Sequence, residues 1–170
     1  MSSNKGKDGE MRVAKLLCEV SIKEEKCDFT RPTNTNTADG GADLVLEHPD
    51  GFEQKLIGIS SGGGTTEEET APDSSTVKTR IDVKTTDGAI SPDTVDKFIG
   101  DIRKNPDCKG HVLVGGSRMS KGAQKKFEAG KESAQEDGKF VAYIPNEGLQ
   151  NLENHYTALP NPSESEENDN

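Results

Sequence analysis

Apolar residues are concentrated in a few short runs, and these runs limit what the chain can fold into. Hydrophobic residues make up only 29% of the sequence, so the core must be built from the runs. Continuous runs typical of strands alternate with runs spaced by three and four residues, which are typical of amphipathic helices. The 170 residues suffice for one domain with a proper core. We therefore predict a single domain over residues 1–159.

The order of these patterns predicts an α/β fold with a mixed central sheet flanked by helices. The predicted elements are, in chain order, a helix at 6–26, strands at 27–31 and 42–46, a hairpin arm at 52–59, a strand at 77–86, a helix at 91–104, a strand at 111–114, a helix at 120–135, a strand at 140–144 and a helix at 147–155. Strands separated by helices imply parallel pairing in the second half, whereas the first half is expected to form an antiparallel meander.

Two segments are too polar to contribute to the core. The segment at about 60–76 is rich in Gly, Ser, Thr and Glu and is predicted to be a flexible acidic insertion. Residues 160–170 are predicted to form a disordered acidic tail. The net charges of residues 47–76 and of the tail together account for the whole net charge of −10, so the rest of the chain is close to neutral. A surface for nucleic acid is therefore not excluded.

Several classes of protein are disfavoured by what the sequence lacks. No window approaches the ~18 apolar residues of a membrane span, and the first residues contain no apolar signal segment. We therefore expect no membrane contact and an intracellular, cytoplasmic location. The three cysteines and three histidines lie far apart, which argues against a disulfide framework and against a zinc site.

Three acids and one lysine occupy positions that suggest a common site. Glu10 lies on or beside the inward stripe of the first helix, and Asp43 opens a strand. Asp82 and Lys84 alternate along another strand and therefore share one face. Strand carboxylates and a backbone carbonyl suit Mg²⁺, which prefers oxygen ligands. A nearby lysine can orient an attacking water and offset phosphate charge, so the set suits phosphodiester cleavage.

The same motifs resemble those of the PD-(D/E)xK, restriction-endonuclease-like nucleases, and the Mrr-type branch is the most similar. The resemblance rests on Gly9-Glu10 opening a helix, on Asp-Gly-Gly-Ala-Asp-Leu-Val at 39–45 and on Ile-Asp-Val-Lys at 81–84. It implies a restriction-endonuclease-like fold, with an αβββαβ core followed by a helix, a strand and a helix. It also implies a divalent-metal-dependent endonuclease that hydrolyses phosphodiester bonds in DNA.

The resemblance also implies roles for individual residues. Asp43, Asp82 and the backbone carbonyl of Val83 would hold Mg²⁺, for which Mn²⁺ would substitute. Lys84 would be the catalytic lysine, and Glu10 would be the helix carboxylate that supports the site.

A basic strip at the start of the predicted helix at 120–135 is a candidate surface for DNA. Its members are Arg118, Lys121 and Lys125, with the hydroxyls of Ser117 and Ser120 beside them. Phosphate contacts would suit these groups, although a solvated helix surface explains them equally well. Because one catalytic domain makes one cut per site, double-strand cleavage would require a homodimer or a larger nuclease or defence complex.

Each feature also has a plain structural explanation. Glu10 can complement a helix N-terminus, Asp43 can be a turn residue that opens a strand, and Asp82 and Lys84 can form a weak ion pair on a solvated strand face. The alternative functions are a catalytically inactive subunit of the same fold that binds nucleic acid or supports assembly, and a small acidic interaction protein.

Overall fold

The structure is a computed structural model that describes residues 5–30, 43–63 and 75–159. Residues 5–7 and Asp43 are described by their backbone alone. The predicted loop at 33–41, residues 64–74 of the predicted insertion and the predicted disordered tail at 160–170 lie outside the described residues. The described parts form a mixed α/β architecture, as the sequence predicts.

Helices and strands alternate along most of the described chain. The helices are α1 (Lys5–Lys23), α2 (Phe52–Ser60), α3 (Pro92–Lys104), α4 (Lys121–Glu136) and α5 (Asn146–Ala158). The strands are β1 (Asp28–Thr30), β2 (Asp43–Pro49), β3 (Thr76–Val83), β4 (Ala89–Ile90), β5 (Gly110–Val114), β6 (Arg118–Met119) and β7 (Phe140–Ile144). Within the described ranges, no helix combines the length and the apolar character needed to cross a membrane.

The central sheet has five strands in the order β1-β2-β3-β5-β7. Strands β1, β2 and β3 pair antiparallel, whereas β3, β5 and β7 pair parallel. This confirms the predicted change from a meander to helix-linked parallel strands. The short strands β4 and β6 pair with each other outside this sheet. The central strand, β3, therefore has an antiparallel neighbour on one side and a parallel neighbour on the other.

Helices cover both faces of the sheet. Helices α1, α2 and α5 pack on one face, where Leu44, Leu46 and Ile81 are buried. Helices α3 and α4 cover the other face around Phe98 and Phe127. Because side chains alternate along a strand, neighbouring residues of β3 contribute to opposite faces. Ile81 therefore faces the first layer, and its neighbours Arg80 and Asp82 face the second.

The starts of α3 and α4 agree with the sequence because both carry local capping signals. The hydroxyl of Ser91 accepts a hydrogen bond from the amide of Thr94, and the hydroxyl of Ser120 accepts one from the amide of Ala123. Each bond satisfies an amide that has no partner within its helix. A proline in the first turn of α3 adds to its signal.

The prediction of a hairpin arm at 52–59 is wrong, because this segment forms helix α2. Gly51 adopts a positive φ of 100° immediately before the helix, and its amide donates to the Glu53 carboxylate at 2.9 Å. The helix then packs on α5, where Asn151 Nδ2 donates to the carbonyl of Ser60 at 3.0 Å. A helix allows this segment to bury its apolar side chains against α5 instead of pairing with β2.

The predicted insertion at about 60–76 lies between α2 and β3. Ser60 is the last residue of α2, and Thr76 is the first residue of β3. Residues 61–63 continue the end of α2 with a turn in which the amide of Gly63 donates to the carbonyl of Gly58. The flexible insertion itself therefore stays a prediction.

Candidate functional site

Two of the predicted acids occupy directly opposite positions on neighbouring strands. Asp43 is the first residue of β2, and its register partner on β3 is Asp82. Opposite residues of an antiparallel pair belong to one face of the sheet. For Asp82, this is the face that packs under α3 and α4. Residues distant in sequence are thus brought together by long-range pairing of two strands.

The Asp82 carboxylate is buried between two cationic side chains. Only 3% of the residue is exposed. Its Oδ1 lies 3.4 Å from Nζ of Lys84, and its Oδ2 lies 3.8 Å from an Nη atom of Arg80. Oδ1 makes no hydrogen bond to the described residues. The solvated strand face considered from the sequence therefore does not describe Asp82.

Lys84 follows the last residue of β3 and extends the line of that strand. Its amide donates to the carbonyl of Val114 on β5 at 2.8 Å, so its backbone is held by the sheet. Its side chain is only a quarter exposed. The ammonium thus lies at a boundary, with one side toward the buried carboxylate of Asp82 and the other toward solvent.

A glycine turn after β5 packs directly against the backbone of Lys84. Gly115 and Gly116 have positive φ angles of 125° and 73°. A Cβ atom at Gly115 would overlap the carbonyl group of Lys84. The hydroxyl of Tyr143 donates to the carbonyl of Gly115 at 2.7 Å, and burial raises the pKa of Tyr143, which keeps the donor protonated. We call Gly115, Gly116 and Tyr143 the glycine clamp.

Beside Lys84 is an open cleft of about 620 Å³. The end of β3, the first turns of α1 and the first turns of α5 form its walls. A Cβ atom at Gly9 would overlap the side chain of Thr85, so α1 approaches the end of β3 very closely there. Glu10 is the next residue of α1 and is half-buried. The structure therefore places Glu10 one residue from the contact between α1 and Thr85.

The residues predicted to contact DNA lie on a separate, exposed surface. Arg118 belongs to β6, and Lys121 and Lys125 are on the first turns of α4, all three exposed. Ser117 is exposed in the turn that follows the two glycines. The hydroxyl of Ser120 serves as the N-cap of α4, so it already has a structural role. The surface is joined to the site through Gly115 and Gly116 of the glycine clamp, which immediately precede Ser117 in sequence.

The predicted metal ligands are Asp43, Asp82 and the carbonyl of Val83, and the side chain of Asp43 is outside the described part of the structure. Asp82 supplies a buried carboxylate oxygen without a hydrogen bond to the described residues, and Val83 is the half-buried last residue of β3. Among the side chains that are described, no three His, Cys, Asp or Glu residues are grouped as metal ligands. The side chain of Asp43 is not among the described ones, so the predicted ligand set stays a prediction.

Sequence reasoning missed the most buried cation of the site, Arg80. The residue is 0% exposed and lies on the same face of β3 as Asp82. Its Nε donates to Nδ1 of His111 at 3.0 Å. The alternation that assigned Asp82 and Lys84 to one face would also have assigned Arg80 to it. The partners of Arg80 could not be found in this way, since they come from β5 and α3.

His111 makes stability depend on pH. Burial, and then the positive charge of Arg80, lower its pKa from 6.5 to about 4. Below pH 6.5, His111 is protonated in the unfolded chain but stays neutral in the folded chain. The free energy of unfolding therefore falls as the pH drops toward 4. We expect a loss of about 3 kcal/mol from this group. Urea unfolding between pH 7 and pH 4 measures it.

The matched variant is His111→Gln, because a glutamine oxygen can still accept from Arg80 but does not titrate. As the pH falls from 7 to 4, the free energy of unfolding of the wild type should decrease by about 3 kcal/mol more than that of His111→Gln. A constant difference over this range would contradict the assignment.

A scan of the chain against models of known protein families finds no match, and a search of curated proteins finds none either.

Proposed function

We propose that this protein is a divalent-metal-dependent endonuclease with a restriction-endonuclease-like fold, and that it hydrolyses phosphodiester bonds in DNA. The observation that carries the proposal is the contact between Asp82 and Lys84 at the end of β3, with Asp43 in register beside it. Such a cluster is not needed to complete the sheet. Burying a carboxylate is costly unless other groups compensate for it, so a buried carboxylate beside a partly exposed lysine calls for a reason beyond the fold.

The residues present fit a hard divalent cation. Asp82 Oδ1 is a buried acceptor without a hydrogen bond to the described residues, and Asp43 is its cross-strand neighbour. We assign Asp43, Asp82 and the carbonyl of Val83 as the groups that would hold Mg²⁺ or Mn²⁺, with Glu10 supporting them from α1. When bound, the metal would polarise the phosphate and lower the pKa of a coordinated water.

The position of Lys84 supports a role as the catalytic lysine. Its ammonium is partly exposed, so it can approach a phosphate from the solvent side while Asp82 holds it from the buried side. The glycine clamp and the hydrogen bond to Val114 fix its backbone. In this position Lys84 would orient an attacking water and stabilise negative charge that develops on the phosphate.

A second candidate is a catalytically inactive subunit of the same fold. The observation that favours it is Arg80, whose guanidinium is fully buried next to Asp82. A buried arginine needs a nearby anion. In this candidate the sole role of Asp82 is to be the counterion of Arg80. In that case the protein would bind nucleic acid or support an assembly without cutting.

Cleavage assays distinguish the two candidates. Purified protein is incubated with supercoiled, linear and branched DNA in the presence of Mg²⁺ or Mn²⁺, and EDTA is added to a parallel sample. The proposed function requires metal-dependent cleavage that EDTA stops and that Asp82→Asn lacks. Binding without cleavage by any of the metal-loaded samples would favour the inactive subunit.

The basic residues beside α4 give a separate prediction about DNA affinity. Replacing Arg118, Lys121 and Lys125 together with Gln should weaken binding to all sequences alike. The slope of log affinity against log salt should flatten by about one unit for each phosphate that the protein no longer neutralises. Fluorescence anisotropy at several salt concentrations measures the slope.

Lys104 provides a control for this prediction, because its replacement removes a positive charge from a different surface. It is the exposed last residue of α3, where it pairs with Asp101 of the same helix. Lys104→Gln should leave the salt slope unchanged. An equal effect of the control and of the triple substitution would show that general charge, and not this surface, determines binding.

A further inference from the structure

Arg80 is the largest fully buried side chain described in the structure, and it lies in the central strand of the sheet. Long charged side chains are almost never fully buried unless they are paired. An apolar residue at this position would fill the space under α3 at much lower cost. The presence of a guanidinium here therefore calls for an explanation beyond packing.

Three contacts hold the guanidinium in one orientation. Its Nε donates to Nδ1 of His111 at 3.0 Å, and an Nη atom donates to the carbonyl of Phe98 at 3.1 Å. The ring of Phe98 lies below it, with the central carbon 4.9 Å from the ring centroid. His111 can accept this bond only while neutral, and its lowered pKa keeps it neutral at physiological pH. The guanidinium is thus fixed from two neighbouring elements, β5 and α3.

The remaining side of the guanidinium faces Asp82. One Nη atom lies 3.8 Å from Oδ2, while Oδ1 of the same carboxylate lies 3.4 Å from the ammonium of Lys84. The two oxygens of Asp82 therefore have different neighbours. The immobilised guanidinium of Arg80 attracts Oδ2. Oδ1 is thereby directed toward Lys84, which is partly exposed to solvent.

We propose that Arg80 is a positioning residue, which holds Asp82 so that Oδ1 is presented to the metal and to Lys84. This inference rests on the proposed function. Groups that orient a metal ligand from behind often change metal affinity by about 10- to 100-fold when they are replaced. The inference also gives the buried pair of Arg80 and Asp82 a role other than stability. Buried ion pairs contribute little to stability, because removing both charges from water is costly.

The test measures Mn²⁺ affinity by isothermal titration calorimetry, together with DNA cleavage, for the wild type, Arg80→Lys and Arg80→Gln. Both variants lose the planar fork, and the lysine variant keeps the charge. We expect both to bind Mn²⁺ at least about tenfold more weakly. We also expect kcat to fall while the KM for DNA stays within about twofold, because Arg80 does not reach the DNA surface.

A control separates positioning from loss of stability. Val141 is buried in the same layer under α3 and α4 and has no polar side-chain atom to offer Asp82. Val141→Ala should lower stability without changing Mn²⁺ affinity. A double-mutant cycle in urea unfolding, with Arg80→Gln and Asp82→Asn, should be non-additive, because the two side chains act on each other.

The outcomes distinguish this inference from the proposed function. If the wild type binds Mn²⁺ and cuts DNA but the Arg80 variants keep wild-type Mn²⁺ affinity, the positioning role is overturned and the nuclease stands. Additivity in the unfolding cycle would also overturn the positioning role. If the wild type itself neither binds Mn²⁺ nor cuts DNA, the proposed function fails first, and the positioning role fails with it.

Discussion

Lys84→Ala should reduce kcat for DNA cleavage by at least about 100-fold, since a positioned lysine acts mainly in the transition state. Asp82→Asn should cause a loss of similar size or greater, because a neutral amide attracts a cation far less than a carboxylate does. DNA affinity, measured without metal, should stay within about twofold for both variants, because we expect the exposed basic residues beside α4 to make most of the phosphate contacts. Single-turnover cleavage and fluorescence anisotropy provide the two measurements.

Lys78 is the matched control for Lys84. It lies near the start of the same strand, β3, and is exposed, and its register partner is Glu47. Lys78→Ala should retain wild-type cleavage within about twofold, as expected for a surface lysine distant from the chemistry. Metal-dependent turnover by Lys84→Ala at the wild-type rate would remove the central residue of the proposed mechanism.

Gly115→Ala should produce the largest loss of stability from a single methyl group. The φ angle of 125° is one that side chains rarely adopt, and the added Cβ would overlap the backbone of Lys84. Strain and overlap together should lower the free energy of unfolding by about 4 kcal/mol. Urea unfolding followed by circular dichroism measures this change.

Gly138→Ala separates strain from overlap. Gly138 also has a positive φ, 75°, but a Cβ atom there would meet no other group within 4 Å. This control should cost about 1 kcal/mol, which is the backbone strain alone. Equal losses for the two variants would show that the glycine clamp does not press on Lys84.

Elements with local signals were predictable from the sequence, and α3 is the best example. Ser91, Pro92 and the apolar residues at helical spacing all act within one or two turns of chain, and the helix begins and ends close to the predicted residues. Strand β7 was also predicted with its observed bounds. The parallel pairing of β5 and β7 followed from the helix between them.

Helix α2 was not predictable in the same way, because its short apolar pattern suits either a strand or a helix. Phe52 and Leu56 are four residues apart, as a helix requires, but Ile57 and Ile59 also alternate as in a strand. Packing against α5, far along the chain, decides between the two. Tertiary contacts of this kind cannot be predicted from a short segment of sequence alone.

The site was predictable in part for the same reason. Asp82 and Lys84 share one face because of strand alternation, which is a local property, and the structure brings them into contact. The register of Asp43 against Asp82 and the buried position of Arg80 depend on three separate strands. The chemical roles of Asp43, Asp82, Lys84 and Glu10 stay predictions until cleavage is measured.

The parallel half of the sheet determines when the site can first exist during folding. Lys84 leaves the ribosome before Val114, Gly115 and Tyr143, yet these later residues hold its backbone in place. Contacts between distant parts of a chain form late, after the entropy of closing the intervening loops has been overcome. A nascent or truncated chain that ends before β7 therefore carries the acids and the lysine but lacks Tyr143, whose hydroxyl holds the glycine turn beside Lys84. We therefore expect the proposed cleavage of DNA to require that β7 has joined the sheet.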